Sequence, residues 1–261
     1  MKKIAPFVLL VILFAAAAWY SFIKEPDPVH EAAPPHLPPV LPVETQQAEP
    51  EAEAPVGRFE PEAVIVPDPL PALNESDAEF TGALVEIAGE DEVGEFLIRD
   101  QVISRAVAMV DSLTGRQVPV LVNPVKPADE TFVVESSGDR MVMSAENFAR
   151  YDGYVALIQK VDTKALMKTY RRHYPLFQQA WQQNGGEGAF RKRLIEVIDH
   201  LLETPDVPGP VYLSKPEAVY VFEEPELEAM SAGQKILVRM GSVNASVVKE
   251  KLQEIRAVLK P

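Results

Sequence analysis

Eight cations fall between Lys160 and Arg193, namely Lys160, Lys164, Lys168, Arg171, Arg172, Arg191, Lys192 and Arg193, against only Asp162 and Glu187. The chain as a whole carries a formal charge of −14, so this stretch reverses the prevailing sign. At about 100° per residue, Lys164, Lys168 and Arg171 or Arg172 share one side of a helix. Such a surface holds anions by charge and hydrogen bonding: a phospholipid headgroup, an anionic glycan polymer or an acidic protein segment. The candidate partner-binding set is therefore Lys164, Lys168, Arg171, Arg172, Arg191 and Lys192. The competing reading is a solvated face that complements the stretch from Glu75 to Asp100, where nine carboxylates accompany a single Arg99.

Other residue types capable of chemistry are scattered. Asp199 and His200 are the sole neighbouring carboxylate and imidazole after the Pro-rich segment, and general-base chemistry uses that pair of groups. Adjacent helical residues point about 100° apart, however, so the two are not expected to bond to each other. His30 and His36 lie in the Pro-rich segment, which leaves only His173 to join His200 in a metal site. No serine stands in a Gly-x-Ser-x-Gly turn. The run Gly185-Gly186-Glu187-Gly188 follows a helical pattern and ends it more naturally than it cradles phosphate. The chain has no cysteine, which excludes disulfides, thiolate metal sites and cysteine nucleophiles. Its acidity argues against nucleic acid as a partner, because phosphate binding needs clustered cations. No catalytic, cofactor-binding or metal-binding residue is assigned, and no cofactor is expected.

The elements that must position the basic residues follow from apolar spacing. Leu166, Tyr170, Tyr174, Phe177 and Trp181 form one stripe from Thr163 to Gln183, with Asp162 as the N-cap and Pro175 expected to bend or restart the helix. Tyr170 and Tyr174, which flank Arg171, Arg172 and His173, fall on this stripe and are read as core. Earlier helices are expected over Ser76 to Ala88, stopped by Gly89, and from about Val93 to Leu113. Val118, Val120 and Val122 alternate like a strand, and Thr131 to Glu135 pairs with Arg140 to Met143 across Ser136, Ser137, Gly138 and Asp139. Ser144 is expected to cap a helix. Tyr151 to Val161 and Gly188 to Glu203 are helical. Pro210 to Leu213 and Ala218 to Phe222 extend the sheet, and helices near Glu226 to Met240 and Ser242 to Leu259 close the chain. The expected fold class is α+β, mainly α: a helical domain with a small antiparallel sheet over residues 69–261.

Before that domain the composition changes. Twelve of the twenty-four prolines fall between Pro26 and Pro69, among glutamates and alanines. Residues 24–68 are expected to be a disordered, extended linker, since such a stretch cannot bury enough apolar surface to order itself. Residues 4–23 form an uncharged apolar run preceded by Lys2 and Lys3. At about 1.5 Å rise per residue it reaches roughly the 30 Å of a bilayer core, with Trp19 and Tyr20 at the far interface. The reading is a single-pass transmembrane helix after a cytoplasmic stub of residues 1–3, with the C-terminal mass on the outer side. The alternative is signal-peptide cleavage near Ala15 to Ala18, which would leave a soluble periplasmic protein.

Three long segments resemble a known family: YDGYVALIQKVDTKALMKTYRRHYPLFQQAW from Tyr151 to Trp181, RLIEVIDHLLETP from Arg193 to Pro205, and FEEPELEAMSAGQKILVRMG from Phe222 to Gly241. LPALNESD, from Leu70 to Asp77, resembles its start. The chain is similar to bacterial domain-of-unknown-function family number 3014. The resemblance implies an envelope protein with an N-terminal membrane segment and a Pro-rich spacer, and it implies no activity; the topology read from residues 1–23 makes that membrane the inner one. The expected function is a non-enzymatic interaction module held in the periplasm. Its expected partners are the lipid bilayer through residues 4–23 and a periplasmic protein or anionic envelope polymer. The alternative is a membrane-tethered hydrolase or transferase whose site is assembled from dispersed residues.

Overall fold

The computed structural model describes residues 69–127, 132–217 and 219–259. The expected spanning segment 4–23 and linker 24–68 lie outside these residues. No described helix is long and apolar enough to cross a membrane.

A 3₁₀ turn, Leu73–Glu75, leads into α1 (Asp77–Ala88), α2 (Glu90–Phe96) and α3 (Val102–Ser112). The expected single helix from Val93 to Leu113 is thus two. Leu97 leaves the helix to bridge Val125, and Gln101 adopts a left-handed φ of 52°. The second helix starts afresh because Asp77 caps it from a distance, accepting the amides of Gln101 at 2.7 Å and Val102 at 2.8 Å. The expected strand around Val118 to Val122 is instead a 3₁₀ turn, Val120–Val122, because its amides bond back locally to Pro119 and Val120 rather than to a neighbouring strand.

The hairpin forms as β1 (Val134–Ser137) against β2 (Arg140–Met143). Its turn is tighter than expected: Ser136 and Ser137 pair within the ladder, and only Gly138, at φ 64°, and Asp139 make the corner. α4 (Glu146–Ala149) follows, with Ser144 Oγ accepting the Glu146 amide at 3.3 Å from two positions earlier. After α5 (Asp152–Lys160), Asp162 accepts the Ala165 amide at 2.8 Å and starts α6 (Thr163–Gln183). α6 does not restart at Pro175. Arg171 and Pro175 are both exposed, so the carbonyl that loses its donor lies on the water side. Gly185 and Gly186 close α6 with amide bonds to Gln182 and Trp181, the two-bond Schellman pattern.

α7 (Phe190–Leu202) is followed by β3 (Tyr212–Ser214) and β4 (Val221–Phe222), which extend the hairpin into one antiparallel sheet of order β1-β2-β3-β4. The expected helix from Glu226 to Met240 is broken into α8 (Pro225–Glu228) and α9 (Ala232–Arg239). Ser231 and Gln234 form a capping box there, and the Ala232 and Gly233 amides donate to Gly115 and Leu113 oxygens at 2.8 and 2.9 Å. α10 (Gly241–Val258) ends the described chain. The protein is therefore mainly helical with a small four-stranded sheet.

Two apolar clusters hold it together. The larger joins α1, α3, α5, α6, α7, α9 and α10 around Phe80, Ile103, Phe177, Phe190 and Ile236. The smaller packs Met143, Leu213 and Phe222 of the sheet against Leu227 of α8 and Val238 of α9. Aromatic rings link the helices: Phe80, Phe177, Phe190 and Trp181 lie in sequence with centroids 5.6 to 6.0 Å apart.

Candidate functional site

α6 is the element that carries most of the basic set, and it contains no acidic residue from Thr163 to Gln183. Its buried side is Leu166, Met167, Tyr170, His173, Leu176, Phe177, Ala180 and Trp181. At about 100° per residue, Lys164, Lys168 and Arg171 then fall on the crest opposite the core, within about 60° of one another. All three are exposed, as are Arg172, Arg191 and Lys192. Along the axis Lys164 and Arg171 are about 10 Å apart, which makes the crest a short row of charge.

The six residues do not share one fate. Arg172 sits at the edge facing α1, where it donates to Glu79 Oε1 from Nε at 3.2 Å and from a terminal nitrogen at 2.7 Å. Arg191, in the first turn of α7, reaches the carbonyl oxygen of Leu259 at 3.5 Å. Lys164, Lys168, Arg171 and Lys192 have no carboxylate or carbonyl partner among the described residues. The neighbouring cations Lys160 and Arg193 pair with Glu92 at 3.7 Å and Asp111 at 2.7 Å. Complementarity with the acidic stretch Glu75 to Asp100 thus accounts for Arg172 and Lys160 and stops short of the crest. Lys164 lies in the first turn, where the helix dipole slightly disfavours a cation; Lys168 and Arg171 stand beyond it.

The other chemistry-bearing residues are engaged structurally. Asp199 receives a two-pronged contact from Arg256 at 2.7 and 3.0 Å, while His200 Nε2 meets Ser231 Oγ at 2.8 Å, so the sequence neighbours turn to different partners. The Ser231 oxygen is already the cap of α9, accepting the Gln234 amide at 3.3 Å. His173 is on the buried side of α6 against α1, away from His200 on α7. Among the described residues no group of three or more His, Asp or Glu side chains converges as metal ligands. Burial pushes the Tyr170 hydroxyl well above the ordinary tyrosine range, with Tyr174 raising it further and Arg191 opposing, so it stays protonated.

Sequence reasoning missed two participants. Glu79 is the countercharge of Arg172 and faces His173 as well, yet its partners stand more than ninety residues away. Lys235 and Glu228 form a tight ion pair across the break between α8 and α9. The Ser-x-x-Gln spacing of Ser231 and Gln234 was the signal that marked that break.

A concave surface of about 170 Å³ lies elsewhere, between the end of α7 and the start of α10, lined by Thr204, Asp206, Ser242, Ser246 and Lys249 among others. Lys249 Nζ bonds there to the Thr204 carbonyl.

The described residues form a mainly helical domain with a small antiparallel sheet and a row of exposed cations along one side of α6. The chain belongs to the family described as Protein of unknown function (DUF3014), which matches residues 102–256, more than half of its length. The stretch from Leu70 to Asp77 lies outside the matched residues. Neither the curated proteins nor the solved structures give a match to the chain.

Proposed function

We propose that this protein is a single-pass inner-membrane protein whose folded domain works in the periplasm as a non-enzymatic interaction module of the cell envelope. In this reading residues 4–23 are the anchor, residues 24–68 a spacer, and residues 69–261 a single domain. The partner is anionic, a periplasmic protein or an envelope polymer, and it meets the domain on the outer crest of α6. Lys164, Lys168 and Arg171 form the centre, with Arg172, Arg191 and Lys192 at the margins.

One observation carries the reading. Arg172 and Lys160 find carboxylates within the domain, while Lys164, Lys168 and Arg171 find none among the described residues. The uncharged run Ile4 to Ile23 after Lys2 and Lys3 supports the anchored topology.

The test is crosslinking in intact cells, comparing the natural chain with K164Q/K168Q/R171Q. The variant is expected to stay folded and in the membrane fraction while losing the crosslinked partner. An unchanged crosslinking pattern sinks the assignment of the crest. Release of the natural chain in soluble form, beginning near Trp19, sinks the anchor.

A further inference from the structure

The hollow between the end of α7 and the start of α10 holds opposite charges that are not spent on each other. One side of it is a face of α10 at helical spacing, Ser242, Ala245, Ser246 and Lys249, and the other is the segment from Thr204 to Val207 that follows α7. α9 adds apolar surface from Leu237 and Val238. At about 170 Å³ it has room for several waters of roughly 30 Å³ each, or for one small organic molecule in their place.

The polar groups are of two kinds. Lys249 is half-buried, and its Nζ donates to the Thr204 carbonyl, a neutral partner. Its remaining N–H groups have no acceptor among the described residues. Thr204 Oγ1 and Ser246 Oγ have already given their hydrogens, to the Leu201 carbonyl at 2.7 Å and the Val243 carbonyl at 2.8 Å, so toward a ligand these hydroxyls only accept. Asp206 is exposed and adds a carboxylate that forms no hydrogen bond or ion pair among the described residues. A lone anion would meet the ammonium but also this carboxylate and two acceptor oxygens. A lone cation would meet the acceptors but lie beside the ammonium. The set suits a molecule that carries both charges on a small apolar body.

We infer that this hollow binds the zwitterion of an aliphatic α-amino acid such as leucine. Lys249 takes the carboxylate, Asp206 and the accepting hydroxyls take the ammonium, and the side chain lies against Leu237, Val238 and Ala245. A site with a partner for each charge discriminates against an analogue lacking one of them, because the facing group is then left unpaired. The site shares no residue with the crest of α6 and stands or falls apart from it.

Equilibrium dialysis of the full chain in detergent against labelled leucine, with N-acetylleucine and leucinamide as competitors, tests the inference. Leucine is expected to bind with a dissociation constant on the order of 0.1 mM. N-acetylleucine lacks the ammonium and leucinamide the carboxylate, and each should compete at least about tenfold less well than leucine. D206N should weaken leucine about tenfold and leave the thermal midpoint in place, since that side chain is exposed and unbonded. K249M should weaken it by a similar factor. Lys249 also ties α10 to the end of α7, so if K249M fails to fold, D206N and the two analogues decide. No binding of leucine up to about 10 mM, equal competition by either analogue, or unchanged affinity in D206N overturns the inference.

Discussion

Two helices carry cations in similar apolar contexts, and the fold treats them in opposite ways. On α6, Lys164, Lys168 and Arg171 stand in water on the crest, with no countercharge among the described residues. On α9, Lys235 and Arg239 are 5% and 3% exposed, at the junction of the two apolar clusters. There Glu228 pairs with Lys235 while its other oxygen accepts the Phe222 amide at 2.9 Å. The Arg239 guanidinium lies 5.1 Å from the centre of the Phe222 ring. Burial pushes Arg239 down to about 10, against the pull of Tyr151 and Glu228, and it keeps its charge at neutral pH. The buried cations are therefore structural, because each would be costly without its local partners. Those on the crest touch no countercharge among the described residues, so their removal should leave the fold in place.

The sharpest way to break this comparison is Glu228→Gln. It leaves Lys235 buried beside no carboxylate and should cost about 3 kcal/mol, at the lower end for a buried pair because Glu228 is itself partly exposed. Chemical denaturation measures it, and a loss under about 1 kcal/mol would refute a structural role for the pair. The pH dependence sharpens it further. Burial holds Lys235 below the ordinary lysine value, with Glu228 opposing that fall. The folded state thus releases this proton before the unfolded chain does, so its penalty is full below the folded value and relieved as pH rises toward the lysine range. Without Glu228 the relief should begin at a lower pH. Lys235→Met should cost less than Glu228→Gln, since removing a buried charge is cheaper than stranding it.

A smaller loss, about 2 kcal/mol, is expected for Gly233→Ala. An added methyl group there would stand 2.6 Å from a Leu201 side-chain carbon and 2.9 Å from the Leu113 oxygen, so α9 must move off α3 and α7. The thermal midpoint should fall accordingly, and no loss would mean that the buried end of α9 is looser than its contacts imply. The smallest effect belongs to the crest: K164Q/K168Q/R171Q should leave unfolding unchanged within about 0.5 kcal/mol. A large destabilisation would place those cations in the same class as Lys235.

Local signals are legible in the sequence and distant ones are not. The stripe of α6, its Asp162 cap, the glycine stop after Gln183 and the hairpin of β1 and β2 are all set by residues within a few positions of each other. The division between α2 and α3 was hidden because Asp77, twenty-four residues earlier, receives the amide of Gln101. The valines at Val120 and Val122 alternate like a strand, yet Leu121 between them is 85% exposed and no strand among the described residues pairs with them. At the site, the grouping of cations on one face was legible from helical spacing. Which of them were already paired was not, since Glu79 and Arg172 meet only after α1 packs on α6.

The Asp77 cap also bears on where the chain can be cut. The family match begins at Val102, whose amide donates to Asp77, and so leaves the accepting carboxylate of that cap outside. A protein trimmed to the matched residues would start α3 uncapped and would strip Phe80 and Leu84 from the rings of Phe177 and its neighbours. The shortest piece that folds as a unit therefore begins upstream of the recognisable one, at or before Leu73, which is itself part of the core.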